Sequence, residues 1–144
     1  MKQFLLIILT TITIASQAQF YVGAGTGATT RGKLAAELQV GYNFKFLLLQ
    51  TGFVTHTNNT NPAVFQVKTG HEFRFGDQSL VLSGGYAYHL LNATYKENNK
   101  STYTTGLEYL KYIRDGGALY TGVTRSGQYT FITVGLKYFF SSRD

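Results

Sequence analysis

The residue types that most often carry chemistry are few and scattered in this chain of 144 residues, which has three histidines and no cysteine. His56, His71 and His89 lie far apart, and none has a second histidine or a carboxylate at the spacing of a metal-ligand motif. The glycine-rich run 23–27 has the composition of a phosphate-binding loop, but such a loop needs a strand, a turn and a following helix. Here the run lies inside a strand pattern. The sequence therefore predicts no metal site, no cofactor and no nucleotide-binding loop.

One stretch invites a sharper hypothesis. Residues 89–93, His-Leu-Leu-Asn-Ala, are similar to the His-x-Ser-Asn-Ala motif of outer-membrane lipid A deacylases, which are also eight-stranded barrels. In that family the histidine activates the serine, and a downstream glutamate orients the histidine. Leu91 occupies the serine position here, and no serine is expected in register with His89, although Glu97 and Glu108 follow. We therefore expect no enzyme activity, and a deacylase-like, lipid A-modifying barrel stays as an alternative.

The N-terminus has the pattern of a secretory signal peptide. A positive start precedes an apolar run over 4–15, and the small residues Ser16 and Ala18 occupy the positions that a signal peptidase reads. The apolar run is too short for the roughly 20 residues that a membrane helix needs. We predict a signal peptide over 1–18 and a single mature domain over 19–144. Export argues against a nucleic-acid partner in spite of the net charge of +6.

The mature chain contains eight runs in which apolar and polar residues alternate, separated by turn residues, as expected for β-strands. The predicted strands are 20–28, 33–43, 46–56, 63–75, 79–90, 101–112, 117–125 and 128–140. In the second strand, Leu34, Leu38 and Tyr42 share one face, and Glu37 and Gln39 lie on the other. The third and seventh strands alternate poorly, so their phases stay open. The fold class is all-β.

The distribution of charge indicates which face lies inside. A soluble barrel buries its apolar face, whereas a membrane barrel turns that face to lipid and its polar face inward. Six charged residues lie on the polar phase of the strands: Glu37, Lys68, Glu72, Arg74, Glu108 and Lys137. Three acids and three bases suit a paired interior network, because buried charges need partners. A solvated polar face, as in a soluble periplasmic barrel that holds a small apolar ligand, stays as the second alternative.

The glycines of the predicted strands also lie mainly on the polar face. Each proposed strand has glycine on its polar face, at positions 23, 25, 41, 52, 70, 85, 106, 122 and 135, and only Gly84 clearly lies on the apolar face. The interior of an eight-stranded barrel is just wide enough for side chains to fill, so small residues make room for large neighbours. This pattern predicts a filled interior without a pore.

Connection lengths also alternate. The links at 43–45, 76–78 and 114–116 are tight, and those at 29–32, 57–62 and 91–100 are longer on the whole. Short periplasmic turns with longer outer loops are typical of membrane barrels. Aromatic residues cluster near the predicted periplasmic ends: Tyr42, Phe73, Phe75, Tyr109, Tyr138 and Phe140. The prediction is an eight-stranded, antiparallel, up-and-down transmembrane β-barrel after a cleaved signal peptide.

The whole mature chain resembles the small outer-membrane barrels of the OmpA/OmpX type. Its segment 134–140, Val-Gly-Leu-Lys-Tyr-Phe-Phe, is similar to the closing strand that the barrel assembly machinery reads in that class, although 141–144 follow it here. The resemblance implies residence in the outer membrane of a Gram-negative bacterium, with membrane lipid and the assembly machinery as partners. Members of the class act as structural proteins, adhesins or lipid-modifying enzymes, so the resemblance does not specify the task.

The predicted outer rim is basic. Its loops and their flanks carry Arg31, Lys33, Lys96, Lys100 and Arg125, against the single acid Glu97. The outer leaflet presents dense phosphate, which guanidinium groups bind bidentately. We therefore expect a non-enzymatic barrel with a structural or surface-interaction role, whose outer rim contacts lipopolysaccharide or a surface partner.

Overall fold

The computed structural model describes residues 19–44, 47–57, 63–90, 100–113 and 116–140, so the predicted signal peptide over 1–18 lies outside the described residues. The described residues form eight strands: β1 (Gln19–Thr29), β2 (Leu34–Asn43), β3 (Leu48–His56), β4 (Ala63–Phe75), β5 (Gln78–Leu90), β6 (Lys100–Tyr112), β7 (Gly117–Ser126) and β8 (Tyr129–Phe139). Each boundary lies within two residues of its prediction from the alternation.

Every strand pairs antiparallel with its neighbour in sequence, and β1 pairs with β8 to close the barrel. The eight-stranded antiparallel barrel is thereby confirmed. Closure leaves no unpaired strand edge. In the described part of the chain no helix is long and apolar enough to cross a membrane.

The two ends of the barrel differ in their connections. Links 44–47, 76–77 and 113–116 join strands at one end, here called the turn end, where the described chain also begins and finishes. Links 30–33, 57–62, 91–99 and 127–128 join strands at the opposite loop end. Gly76 and Gly127 have positive φ angles of 66° and 58°, the conformation that two-residue hairpin turns need.

Side chains alternate strictly between the two faces of the wall. On β2, Leu34 and Leu38 are 69% and 62% exposed on the outside, whereas Glu37 and Gln39 are 4% and 2% exposed inside. The sequence left open which residues of β3 and β7 face inward. In the structure the side chains of both strands also alternate between the two faces, and on β3 Gln50 points inward. The glycines on the polar phase lie on the inner face, as predicted. The barrel thus has an apolar outer wall and a polar inner phase.

The interior is more apolar than its sequence phase suggested. One buried apolar cluster lies toward the turn end: Tyr21, Leu48, Val81, Leu110, Ala118, Tyr120 and Phe139. A second lies toward the loop end: Ala35, Val54, Val64, Ala87, Tyr129 and Phe131. Strand order places the buried charges between them, because Lys68 follows Val64 on β4 and Glu108 precedes Leu110 on β6. A charged layer is therefore enclosed by two apolar layers.

Candidate functional site: the barrel interior and the loop-end rim

The barrel contains a central charge cluster, defined here as Glu108 with Lys68 and Lys137. Glu108 on β6 forms an ion pair with Lys137 on β8, and its other carboxylate oxygen lies 3.8 Å from Nζ of Lys68 on β4. All three side chains are at most 2% exposed. Gln50 Nε2 also donates to Glu108 Oε1 at 3.4 Å. One buried carboxylate therefore serves two buried ammonium groups.

Two tyrosines enclose this cluster on its turn-end side. Lys137 Nζ lies 4.9 Å from the ring centroid of Tyr21 and 5.1 Å from that of Tyr120, within cation–π range. Tyr21 donates its hydroxyl to Gln50 Oε1 at 3.0 Å. Tyr120 donates to Glu37 Oε2 at 3.2 Å. Glu37 therefore connects with the cluster through Tyr120, whose hydroxyl binds Glu37 and whose ring contacts Lys137.

The other two residues of the predicted network form a separate group near the turn end. Glu72 accepts hydrogen bonds from Asn43 and Tyr112. Arg74 lies 3.6 Å from Glu72, but its side chain is 46% exposed. The expectation of one network of six is therefore corrected to a central cluster and a turn-end group. The reason is geometric, because Lys68 and Glu72 are four residues apart on one strand, or about 13 Å.

His89 has a serine neighbour, which corrects the expectation that none would meet it. Ser126 Oγ on β7 lies 3.2 Å from His89 Nε2 on β5, and Thr102 Oγ1 lies at the same distance from that nitrogen. In a narrow barrel, inward side chains of strands that are not adjacent meet near the axis, so sequence spacing does not decide such contacts.

The His89–Ser126 contact is buried within the described strand ladders and is not open to a substrate. Ser126 is 0% exposed, and its backbone pairs with Thr104 and Tyr129 in the two flanking ladders. A nucleophile must reach the substrate, and the oxyanion that forms needs free N–H donors. We interpret the contact as packing of the loop-end interior, where the His89 ring also lies 5.8 Å from that of Tyr129.

Of the remaining histidines, the structure describes the side chain of His71 only. His71 is exposed on the outside of β4, with its ring 4.7 Å from that of Phe73. The side chain of His56 lies outside the described residues. Within the described ranges, no three histidine, cysteine or acidic side chains are grouped as metal ligands.

The structure places three of the five predicted rim cations at the loop end. Arg31 and Lys33 are exposed in the β1–β2 link, where the Arg31 guanidinium lies 5.5 Å from the Tyr129 ring centroid. Arg125 is exposed on the outer wall of β7. Thr130 of β8 connects the β1–β2 link with Arg125. It pairs with Arg125, and its carbonyl oxygen accepts a hydrogen bond from the Thr30 amide at 2.9 Å. Lys96 and the side chain of Lys100 lie outside the described residues.

Aromatic residues are exposed on the outer wall near both ends, and toward the loop end they lie on β3 to β6. The six predicted at the turn end are all at least 40% exposed. Phe20 extends this belt, since its ring lies 5.3 Å from those of Tyr42 and Phe140. Sequence reasoning missed a second belt toward the loop end: Phe53, Phe65, Tyr86, Tyr88 and Tyr103. Its signal was present, because all five lie on the outward phase in the loop-end half of their strands.

No protein-family model and no curated protein matches the sequence. Among solved structures, the fold is similar to a de novo designed transmembrane β-barrel, with a TM-score of 0.69 and 15% identity over 84% of this chain and 94% of the design. It is similar to the N-terminal β-barrel domain of Pseudomonas aeruginosa OprF, with a TM-score of 0.68 and 10% identity over 86% and 98% of the two chains. The attachment invasion locus protein Ail of Yersinia pestis, solved with the heparin analogue sucrose octasulfate, gives a TM-score of 0.53 and 12% identity over 85% and 97%. This chain therefore has the fold of the small eight-stranded outer-membrane barrels, and the resemblance seen in its sequence is confirmed at the level of fold.

Proposed function

We propose that this protein is a non-enzymatic barrel of the Gram-negative outer membrane, with a structural or surface-interaction role and no pore. The observation that carries the proposal is the inversion of the wall, with apolar side chains exposed outside and charges buried inside. Leu34, Leu38 and Leu136 on the outer wall are 69%, 62% and 56% exposed, whereas Glu108 and Lys68 inside are 1% exposed. Contiguous apolar surface on this scale marks a membrane or protein contact rather than a water-facing wall.

The aromatic belts mark the two proposed membrane interfaces, and the connection lengths indicate which end faces outward. Membrane barrels carry aromatic girdles at both interfaces, short periplasmic turns and longer outer loops. The turn end accordingly faces the periplasm, and the loop end faces outward with its exposed cations Arg31, Lys33 and Arg125. These cations suit the phosphates of lipopolysaccharide as a rim partner.

Membrane residence predicts how the protein fractionates. We expect it in the outer-membrane fraction, extracted only by detergent, and we expect unheated samples to migrate differently from boiled ones on a denaturing gel. The physical reason is that a closed barrel resists detergent until heat breaks its strand ladders. Release by osmotic shock without detergent would contradict the proposal and favour the soluble ligand-binding barrel.

The filled interior predicts the absence of steady conductance. Tyr21 and Phe139 lie in the turn-end cluster, Tyr129 and Phe131 lie in the loop-end cluster, and each is at most 6% exposed. Aqueous channels appear only in much wider barrels of about 16 to 18 strands. The measurement is single-channel recording in planar bilayers, with a trimeric porin as the positive control. Large, stable current steps from the purified protein are the result that this packing forbids.

A further inference from the structure

An open groove of about 500 Å³ lies on the outer wall between β6 and β7 at the loop end. Its lining is Ser101, Thr102, Tyr103, Thr105, Arg125 and Gly127. On the outward face, this lining combines one guanidinium group with the hydroxyl groups of Ser101, Tyr103 and Thr105, and its described residues include no carboxylate. Such a donor set suits an anion that accepts several hydrogen bonds.

Arg125 occupies an unusual position for a charged residue. It lies on the outward phase of β7, opposite Thr105 on β6 and Thr130 on β8. Its guanidinium group has no hydrogen-bond or ion-pair partner among the residues that the structure describes. Val123, two residues further from the loop end, and Ile132 beside it on β8 are apolar and exposed. A charge at the edge of an apolar membrane-facing wall is costly unless it meets a headgroup.

Tyr103 is the second element of the groove. It is 75% exposed, and its ring centroid lies 5.0 Å from that of Tyr86, which is 62% exposed. Tyrosine at a membrane interface keeps its ring against apolar surface and its hydroxyl toward the polar headgroups. The Tyr86–Tyr103 pair therefore places a hydroxyl donor at headgroup level, on the strand adjacent to Arg125.

We propose that this groove binds a phosphate group of lipid A in the outer leaflet. Arg125 supplies the paired N–H donors, and the hydroxyl groups of Thr105, which pairs with Arg125, and of Tyr103 on the same strand supply the others. The acyl chains then run along the apolar wall below, past Val123 and Ile132. This inference rests on the proposed function, because it requires the loop end to lie in the outer leaflet.

The test is a titration of the detergent-solubilised, full-length mature protein with bisphosphorylated lipid A, read by native mass spectrometry and by the thermal midpoint. Arg125→Gln is expected to weaken apparent affinity about tenfold, the scale of one charge-assisted bidentate contact. Arg125→Lys keeps the charge but loses the paired N–H donors of the guanidinium group, so its affinity is expected to lie between those of the wild type and Arg125→Gln. Tyr103→Phe is expected to weaken affinity about threefold. The comparison variant is Lys33→Gln, which removes one positive charge from the same rim outside the groove; it is expected to cost only about twofold, through the loss of diffuse attraction, and so less than Arg125→Gln.

Three results would contradict the proposal that this groove binds a phosphate group of lipid A. Equal losses for Arg125→Gln and Lys33→Gln indicate diffuse attraction to the rim, which leaves the rim proposal standing. Equal affinity for dephosphorylated lipid A removes phosphate recognition. Arg125-dependent binding of phosphatidylglycerol at the same affinity removes lipid A as the specific occupant. The proposed function is judged separately by fractionation, and heat-modifiability of each variant verifies that the barrel has folded.

Discussion

Gly135→Ala is expected to destabilise the barrel by about 3 kcal/mol, near the upper end of the usual cost of overpacking. Gly135 lies directly opposite Gly25 where β8 closes on β1. A Cβ at residue 135 would overlap the Ala24 carbonyl oxygen and lie 2.5 Å from the Gly25 Cα and 2.7 Å from the Tyr120 ring. The two glycines thus provide the space in which Tyr120 crosses the inner face of the closing seam toward Glu37.

The measurement is the urea midpoint of the refolded protein in detergent, together with the folded fraction on an unheated gel. Gly84→Ala is the matched control, because Gly84 lies on the outer wall and the nearest atom to its added Cβ is the Thr104 carbonyl oxygen at 3.8 Å. That change is expected to stay within about 0.5 kcal/mol. Equal stability of the two alanine variants would show that the seam has room for a side chain.

The fold itself could be predicted because its signal is local. Because side chains of a β-strand alternate between its two faces, the residues of a single strand are enough to show which of them share a face. The glycines lie mainly on the polar face, and this agreement does not depend on the apolar residues. Even the two strands with poor alternation follow once their neighbours are placed, because register couples all eight strands of a closed barrel. For β7, the pairing of Gly122 with Glu108 and Thr133 places it on the inner face.

The interior could be predicted only in part, because contacts across a barrel depend on side-chain reach as well as on phase. Tyr120 and Glu37 are 83 residues apart in sequence. Ser126 and His89 lie on strands that do not pair with each other. The apolar interior clusters were hidden for a related reason. Val64 lies between Ala63 and Phe65, and three successive apolar residues give no alternation from which to choose a face.

The positions of the basic rim residues on the outer wall could also be predicted only in part from the sequence. Composition near the loops identified its residues, but only the register places Arg125 on the outer wall with Thr105 and Thr130 as its neighbours. Charge counting treats such a residue as equivalent to Lys33 in a link. The structure distinguishes them, because Arg125 lies on the outer wall of β7 next to exposed apolar residues, whereas Lys33 lies in the link between β1 and β2.

Glu108→Leu is expected to cost about 3–5 kcal/mol, the usual result of stranding buried charge by removing one partner. The substitution leaves Lys68 and Lys137 both buried without their common carboxylate, and Lys68 Nζ has no hydrogen-bond partner among the described residues that could compensate. Water cannot solvate either ammonium group cheaply, because apolar layers lie on both sides of the cluster. The measurement is the same urea titration in detergent.

The matched control is the exposed pair of Asp77 and Lys111 at the turn end. Lys111 donates a hydrogen bond to Asp77, which lowers the pKa of that carboxyl, and the two side chains are 60% and 41% exposed. Asp77→Asn is expected to leave the urea midpoint unchanged within error, because water already solvates both groups. An equal shift for Asp77→Asn and Glu108→Leu would mean that burial does not set the cost.

A further variant separates the cost of stranded charge from the cost of lost packing. Combining Glu108→Leu with Lys68→Met and Lys137→Met replaces the whole central cluster by apolar side chains of similar length. Apolar replacement of complete buried ion pairs is often neutral or stabilising, so the triple variant should recover most of the stability that Glu108→Leu alone loses. Recovery on this scale would show that the complete cluster adds little net stability compared with apolar side chains in the same space. If the triple variant is instead less stable than Glu108→Leu, the two lysines stabilise the barrel through contacts other than Glu108, such as the cation–π contacts of Lys137 with Tyr21 and Tyr120.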